Sequence, residues 1–550
     1  MPKSGPPKKR PIRVGLISLG CAKNLVDAEI MLGSLMQQGI EIVNDAAAAD
    51  AVIVNTCSFI DAAQEESIDA ILESAQLREV KNRGQALIVS GCLPQRFREE
   101  LPKLLPEVDA FLGVDQVAQI PEIVERAIGR REAKSIEATP VPNPKRSPAK
   151  PIHGARRGEV IGRISELNAL TGDEPSSTTT ALLDVTPRPV YIPDYETPRF
   201  RLTPGHFAYV KIAEGCNHPC SFCTIPRMRG AHRSRGQDDI IREARGLIAE
   251  GVKELNLISQ DSTYYGLDLQ PRRNGSIAAP EKFRAAAQSL PLSATTLCTL
   301  LRELNGLEGD FWIRLLYTHP AHWTDELIRT IADCPKVARY IDIPLQHIHD
   351  AMLERMRRET SRKYIEELLA RIRAGIPGIS IRTTFIVGFP GETDEYFESL
   401  LEFIRATRFE RLGVFMYSQE SGTRSARMAA QIPQRLKEKR SDLAMAEQLK
   451  ISRQLAKESV GRTIKVLIEK EATARELERA EVRSWEHGFI RSAHAKKSPI
   501  SGRFWVGRGE ADAPDIDGRV YVRGIAQPGD FFRATVVGHT DYDLLAQPAA

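Results

Sequence analysis

Short apolar runs alternate with stretches of helical period through the first 130 or so positions. "VGLISLGC", "AVIVNTC" and "ALIVSGC" read as strands buried on both faces, and each ends in a cysteine: Cys21, Cys57 and Cys92. "NLVDAEIMLGSLMQQG", between the first two, carries its apolar residues at helical spacing. Strands alternating with helices predict a parallel α/β sheet, in which the carboxyl ends of the strands share one edge. Three cysteines far apart in the chain would meet there.

Residues 133–203 break this pattern with "TPVPNPKRSPAKP", "DEPSSTTT" and "TPRPVYIPDYETP", which read as a proline-rich linker or insertion. Six further strand-like runs follow, "FAYVKIAE", "ELNLIS", "FWIRLLY", "YIDIPL", "ISIRTTFIV" and "RLGVFMY", most of them separated by helical stretches such as "SRKYIEELLARIRAG". Repeated β–α units predict a partial or complete TIM-type (β/α) barrel over 204–434, and the polar residues just past its strands mark the edge where such barrels carry active sites. A second insertion, about 268–295, is expected to be peripheral. A charged helix over 435–460 leads to alternating strands in 461–546, which predict a small all-β domain. The fold class is thus α/β with a C-terminal all-β module, and the domains are a basic tail (1–11), an N-terminal parallel α/β domain (12–132), the linker, the barrel, the helix and the small β domain.

Composition narrows the setting. The 550 residues are 42% hydrophobic and 27% charged, as in ordinary folded proteins, and the net charge of +4 neither requires nor excludes a nucleic-acid partner. No apolar run reaches the roughly 18–20 residues of a membrane span, and "MPKSGPPKKRPIRVG" passes directly into a strand without a signal-like apolar core. A cytoplasmic protein is expected, in which eight cysteines serve as ligands, catalysts or buried thiols rather than disulfides. Cys298 and Cys334, in apolar helical surroundings, read as core thiols.

"EGCNHPCSFC" gathers Cys216, Cys220 and Cys223 in a C-x3-C-x2-C loop. Three thiolates on one loop suit a four-iron cluster with one iron left open, and the competing reading is a zinc ion held by these cysteines and His218. Arg227, Arg229, Arg233 and Arg235 follow; they either grip an anionic group or form a solvated basic face. His319 and His347 stand just past barrel strands, where capping or core hydrogen bonding explains them as well as catalysis does.

"GCNHPCSFC" with "TIPRMRGAHRSR" resembles the radical S-adenosylmethionine superfamily. The resemblance implies that Cys216, Cys220 and Cys223 hold a [4Fe-4S] cluster whose open iron chelates S-adenosylmethionine. It also implies that Phe222 lies near the adenine, and that "IVGFPGET", with Gly388, Gly391 and Glu392, contacts the cofactor. "SLGCAKNLVDAE", "NTCSFIDAAQEES" and "SGCLPQR" resemble the N-terminal domain of the methylthiotransferases, which implies a second [4Fe-4S] cluster on Cys21, Cys57 and Cys92. The C-terminal domain is similar to a TRAM domain.

Within that family, "CAKNLVDAE" and "EADAPDIDGRVYV" resemble the branch that methylthiolates the β-carbon of an aspartate in the small-subunit ribosomal protein of the decoding centre. That resemblance implies the ribosomal protein, free or on the ribosome, as partner, together with a sulfur donor and an electron donor. Seven acidic against three basic residues between Gly509 and Asp543 suggest a surface that repels RNA and suits a basic protein. The alternatives are a tRNA-adenosine methylthiotransferase and a non-enzymatic iron–sulfur RNA-binding protein.

Overall fold

The computed structural model describes residues 10–137, a few positions between 158 and 164, and then 181–269, 279–291, 293–473 and 503–549. Most of the basic tail, the bulk of the proline-rich linker, the tip of the second insertion and residues 474–502 of the C-terminal domain lie outside the described residues. The chain forms two compact units. One runs up to Leu202 and includes Thr224–Ala231 and Ser418–Gly422; the other contains the rest.

The first unit is built on β1 (Arg13–Ser18), β2 (Glu41–Ile42), β3 (Ala51–Thr56), β4 (Ala86–Gly91), β5 (Ala110–Leu112) and β6 (Leu182–Asp184). Their spatial order is β2-β1-β3-β4-β5-β6, with every pair parallel. β3 and β4 are buried at every position, which is why their sequences are unbroken apolar runs. β6 lies within the stretch read as linker. It joins the sheet edge through Ala110↔Leu182, and the chain after it is tied down by Asp115, which accepts the Val190 and Tyr191 amides. Three residues with low periodicity give too short a signal to distinguish from proline-rich coil.

The second unit begins with β7 (Phe207–Lys211) and a short antiparallel pair, β8 (Ala213–Glu214) with β9 (Arg233–Ser234). Then come β10 (Glu254–Ile258), β11 (Trp312–Leu315), β12 (Val337–Asp342), β13 (Ser380–Val387) and β14 (Arg411–Met416). The order β7-β10-β11-β12-β13-β14 is that of an all-parallel six-stranded sheet, a partial barrel in chain order. Helices cover it through an apolar core that includes Leu257, Ile313, Ile341, Phe385, Leu300 and Leu368. Cys298 and Cys334 are buried in that core, as expected. The second insertion is not peripheral: its helix Pro280–Gln288 sends Phe283 to stack on His322, with ring centroids 4.2 Å apart.

The helix Gln434–Glu458 precedes β15 (Thr463–Glu471), β16 (Phe504–Gly509), β17 (Val520–Arg523), β18 (Phe531–His539) and β19 (Leu544–Pro548), which close into a five-stranded barrel. This barrel is fastened to the amino-terminal ends of the parallel strands. Glu254, the first residue of β10, lies between Arg314 Nε and Arg508 Nη2, each 2.5 Å away, and Tyr340 donates to Asp517 at 2.7 Å. Asp512, Asp517 and Asp543 are buried, so three of the seven acids counted toward an acidic surface are spent inside. The charge argument for a protein substrate loses its basis.

Candidate active site: two cysteine triads

Within the first unit, Cys21, Cys57 and Cys92 stand just past the carboxyl ends of β1, β3 and β4, three adjacent parallel strands. Two glycines permit the approach. Gly20 has φ +92°, and a Cβ there would fall 2.8 Å from Cys57 Cβ. Gly91 has φ +96°, and its Cβ would meet the Thr56 carbonyl at 2.5 Å. Any other residue at either position would be strained in backbone and push the cysteine loops apart.

Asn24 ties the loops together. Its Nδ2 donates to Thr56 O (2.8 Å) and Leu19 O (3.1 Å), its carbonyl accepts from Asn55 Nδ2 (2.8 Å), and its Oδ1 accepts from the Cys92 thiol at 3.6 Å. Arg229 approaches the same point: Nη1 donates to Asp27 at 2.7 Å, while Nη2 donates to Asn24 Oδ1 and to Cys92 Sγ, the latter at 3.4 Å. Arg229 is therefore not part of a solvated face but holds a carboxylate of the chain itself, and Arg235 is likewise buried, paired with Asp239 and Glu243. Sequence reasoning missed Asn24 and Asp27, which look like ordinary polar residues in the first two turns of the helix Ala22–Gln37.

In the second unit, the loop Cys216–Cys223 leaves β8 at the carboxyl edge of the sheet. Ser221 anchors it, its amide donating to Met356 O (3.0 Å) and its hydroxyl to Arg355 O (2.8 Å). The His218 amide points at Cys216 Sγ (3.5 Å), and Arg358 Nη1 donates to Cys220 Sγ (3.6 Å). Phe222 packs against the cluster of Met352, Met356, Ile386, Phe389 and Tyr417. The Glu392 carboxylate is occupied within its own surroundings: it accepts the Gly388 amide (2.6 Å), Arg440 (2.7 Å) and His347 (3.2 Å). The Gly391 amide donates to Ala430 O, so Glu392 and Ala430 together set the path of this loop.

All eight cysteines are thiols, none in a disulfide. Burial raises the Cys92 thiol, opposed by Arg229 and reinforced by Cys21; burial likewise raises Cys216 well above its ordinary value, reinforced by Cys223 and Cys220. Thiols that hinder one another's ionisation in this way are stabilised as thiolates by a shared cationic group, and both donor sets fit a cysteine-held iron–sulfur cube.

A lone ion fits less well. His218 Nε2 is directed at Asp261 Oδ2 (2.7 Å), not at the cysteines, and His322 Nδ1 meets the same oxygen at 2.8 Å. Among the described residues, His218, His319 and His322 offer ligand atoms all within 4.8 Å of one another, and no cysteine belongs to that group. The His218 and His319 rings are stacked at 3.7 Å with planes 11° apart. Their in-plane lone pairs lie in nearly parallel, offset planes and cannot converge on one ion without rotation. The trio is instead a buried network beside Asp261, whose Oδ2 meets both His218 and His322. Burial opposes ionisation of Asp261, but His322 and His218 outweigh it and hold the carboxyl well below its usual range.

A pH dependence follows. Burial holds His319 and His347 below the ordinary 6.5. As pH falls below about 6.5 the unfolded chain therefore binds protons that the folded chain refuses. Stability is full above that pH and declines below it, by up to about 1.4 kcal/mol per pH unit for each such histidine. Urea unfolding at pH 7.5, 6.5 and 5.5 is expected to show this fall, with a shallower slope for His319→Gln.

Three families match along the chain: uncharacterized protein family UPF0004 over residues 13–113, the radical SAM superfamily over 210–404, and the TRAM domain over 497–548. Among curated relatives, the ribosomal protein uS12 methylthiotransferase RimO of Opitutus terrae is 51% identical over 98% of this chain and 97% of its own. Its namesake in Akkermansia muciniphila is 44% identical over 98% and 100%, and that of Geotalea uraniireducens 41% over 97% and 98%. With cysteine triads on two separate units and identity of this level over nearly its whole length, the chain belongs to the RimO family of radical SAM methylthiotransferases.

Proposed function

We propose that the chain methylthiolates the β-carbon of an aspartate in ribosomal protein uS12. Near-full-length identity to relatives of that name carries the reading. When bound, two [4Fe-4S] clusters and S-adenosylmethionine supply the radical that breaks an unactivated C–H bond and the sulfur that is methylated and transferred.

The protein's own groups do the holding. Cys216, Cys220 and Cys223 hold the cluster that binds S-adenosylmethionine, on a loop fixed by Ser221. Phe222, from within its packed cluster, would contact the adenine, and the Gly388–Gly391 turn, braced by Glu392 through the Gly388 amide, would contact the rest of the cofactor. Cys21, Cys57 and Cys92 hold the second cluster, with Asn24 bracing their loops. No helix among the described residues is long and apolar enough to cross a membrane; the proposed place of work is the cytoplasm, on free or ribosome-bound uS12. A sulfur donor and an electron donor complete the set of partners.

The test is an anaerobic assay of the reconstituted enzyme with intact uS12, small ribosomal subunits and total tRNA side by side, read by mass spectrometry. A methylthio group on an aspartate of uS12 is the expected result. Methylthioadenosine in the tRNA digest with unmodified uS12 would overturn the substrate.

A further inference from the structure

We infer that Arg229 is a positioning residue that sets the reduction potential of the cluster on Cys21, Cys57 and Cys92. The inference rests on the proposed assignment of that cluster.

Arg229 is 2% exposed, and Asp27 beside it is 3% exposed. Burying such charges is costly unless they are paired, and one arm of the guanidinium donates to Asp27. The other arm turns to Asn24 Oδ1 and Cys92 Sγ. The pair is neutral overall, yet divided: Nη2 of the guanidinium meets the sulfur, while Nη1 holds the carboxylate. A cube held by three thiolates becomes more negative when it accepts an electron. A charge-assisted N–H···S donor therefore favours the reduced form, since hydrogen bonds to the sulfurs and local charge are what set such potentials. Asp27 tempers the effect and fixes the direction of the fork. A purely structural pair would not need the contact with sulfur.

The two charges make opposite predictions. In full-length chain carrying Cys216→Ala, Cys220→Ala and Cys223→Ala, the iron that remains reports on the N-terminal triad alone. Anaerobic reconstitution is followed by titration with dithionite and redox mediators, reading the one-electron reduced cluster by electron paramagnetic resonance.

Asp27→Asn, which frees the arginine's charge, is expected to raise the midpoint. Adding Arg229→Gln to Asp27→Asn removes that charge along with its carboxylate partner and is expected to lower the midpoint again. The expected drop is on the order of tenfold in the reduced-to-oxidised ratio at fixed potential, about 59 mV for one electron. Equal midpoints for the single and double variants, each retaining about four irons, would overturn the inference and leave the cluster assignment standing. If the double variant fails to load, Asp27→Asn decides alone: a midpoint that does not rise overturns it. Loss of iron from the triple-cysteine background with Asp27 and Arg229 intact overturns the assignment, and this inference with it.

Discussion

A chain in which Cys21, Cys57 and Cys92 are all alanine is expected to bind about four irons rather than about eight, to cleave S-adenosylmethionine reductively, and to transfer no methylthio group. The reverse set, alanine at Cys216, Cys220 and Cys223, is expected to lose the cleavage as well. The division follows from the architecture. Each triad is built by its own unit: one by three loops beyond adjacent strands, the other by a single loop leaving β8. Removing the first set leaves the second unit's ligands and their supports, Ser221 and Arg358, untouched. Iron analysis, 5′-deoxyadenosine yield and product mass spectra check the three parts separately. Loss of 5′-deoxyadenosine with the barrel cluster still loaded would show that the two sites do not divide the work this way.

Glu254→Gln is expected to destabilise the second unit by about 3–5 kcal/mol. Glu254 is fully buried and shared by two guanidinium groups, those of Arg314 and Arg508; Arg508 also reaches Glu469 at 2.7 Å. A neutral amide of the same shape leaves two buried cations to one remaining carboxylate, and the cost of an uncompensated buried charge exceeds that of a lost hydrogen bond. Urea unfolding followed by tryptophan fluorescence, to which Trp312, packed on Phe531 of the barrel at 4.7 Å, contributes, measures the loss. An unchanged midpoint would mean the ionic lock is exposed to water in solution.

The six cysteines were legible in the sequence because the signal is local: three thiols within one loop, and three strands that each stop at a thiol. The parallel sheet and the terminal barrel were legible for the same reason, since alternation and continuous apolar runs are properties of short windows. Groups whose meaning depends on which loops fold together were not legible. Arg229 reads as one of several surface arginines until Asp27, some 200 positions earlier, is found against it. His218 sits between two cysteines and looks like a ligand, but its ring belongs to Asp261. Glu392 was expected to face the cofactor, and its carboxylate is instead engaged by Gly388, His347 and Arg440. Phe283 lay in an insertion with no pattern of its own, and only the folded chain brings it over His322. The acid count in the C-terminal domain misled because counting cannot tell a carboxylate in water from one inside an ion pair.

The terminal barrel grips the strands of the second unit at their starting ends, whereas the cysteine loop leaves from their finishing ends. The β-strands between are mostly four to eight residues long, or roughly 13–26 Å at the usual rise per residue. A target clasped by that module while its side chain is altered at the far rim has to reach around the flank of the sheet.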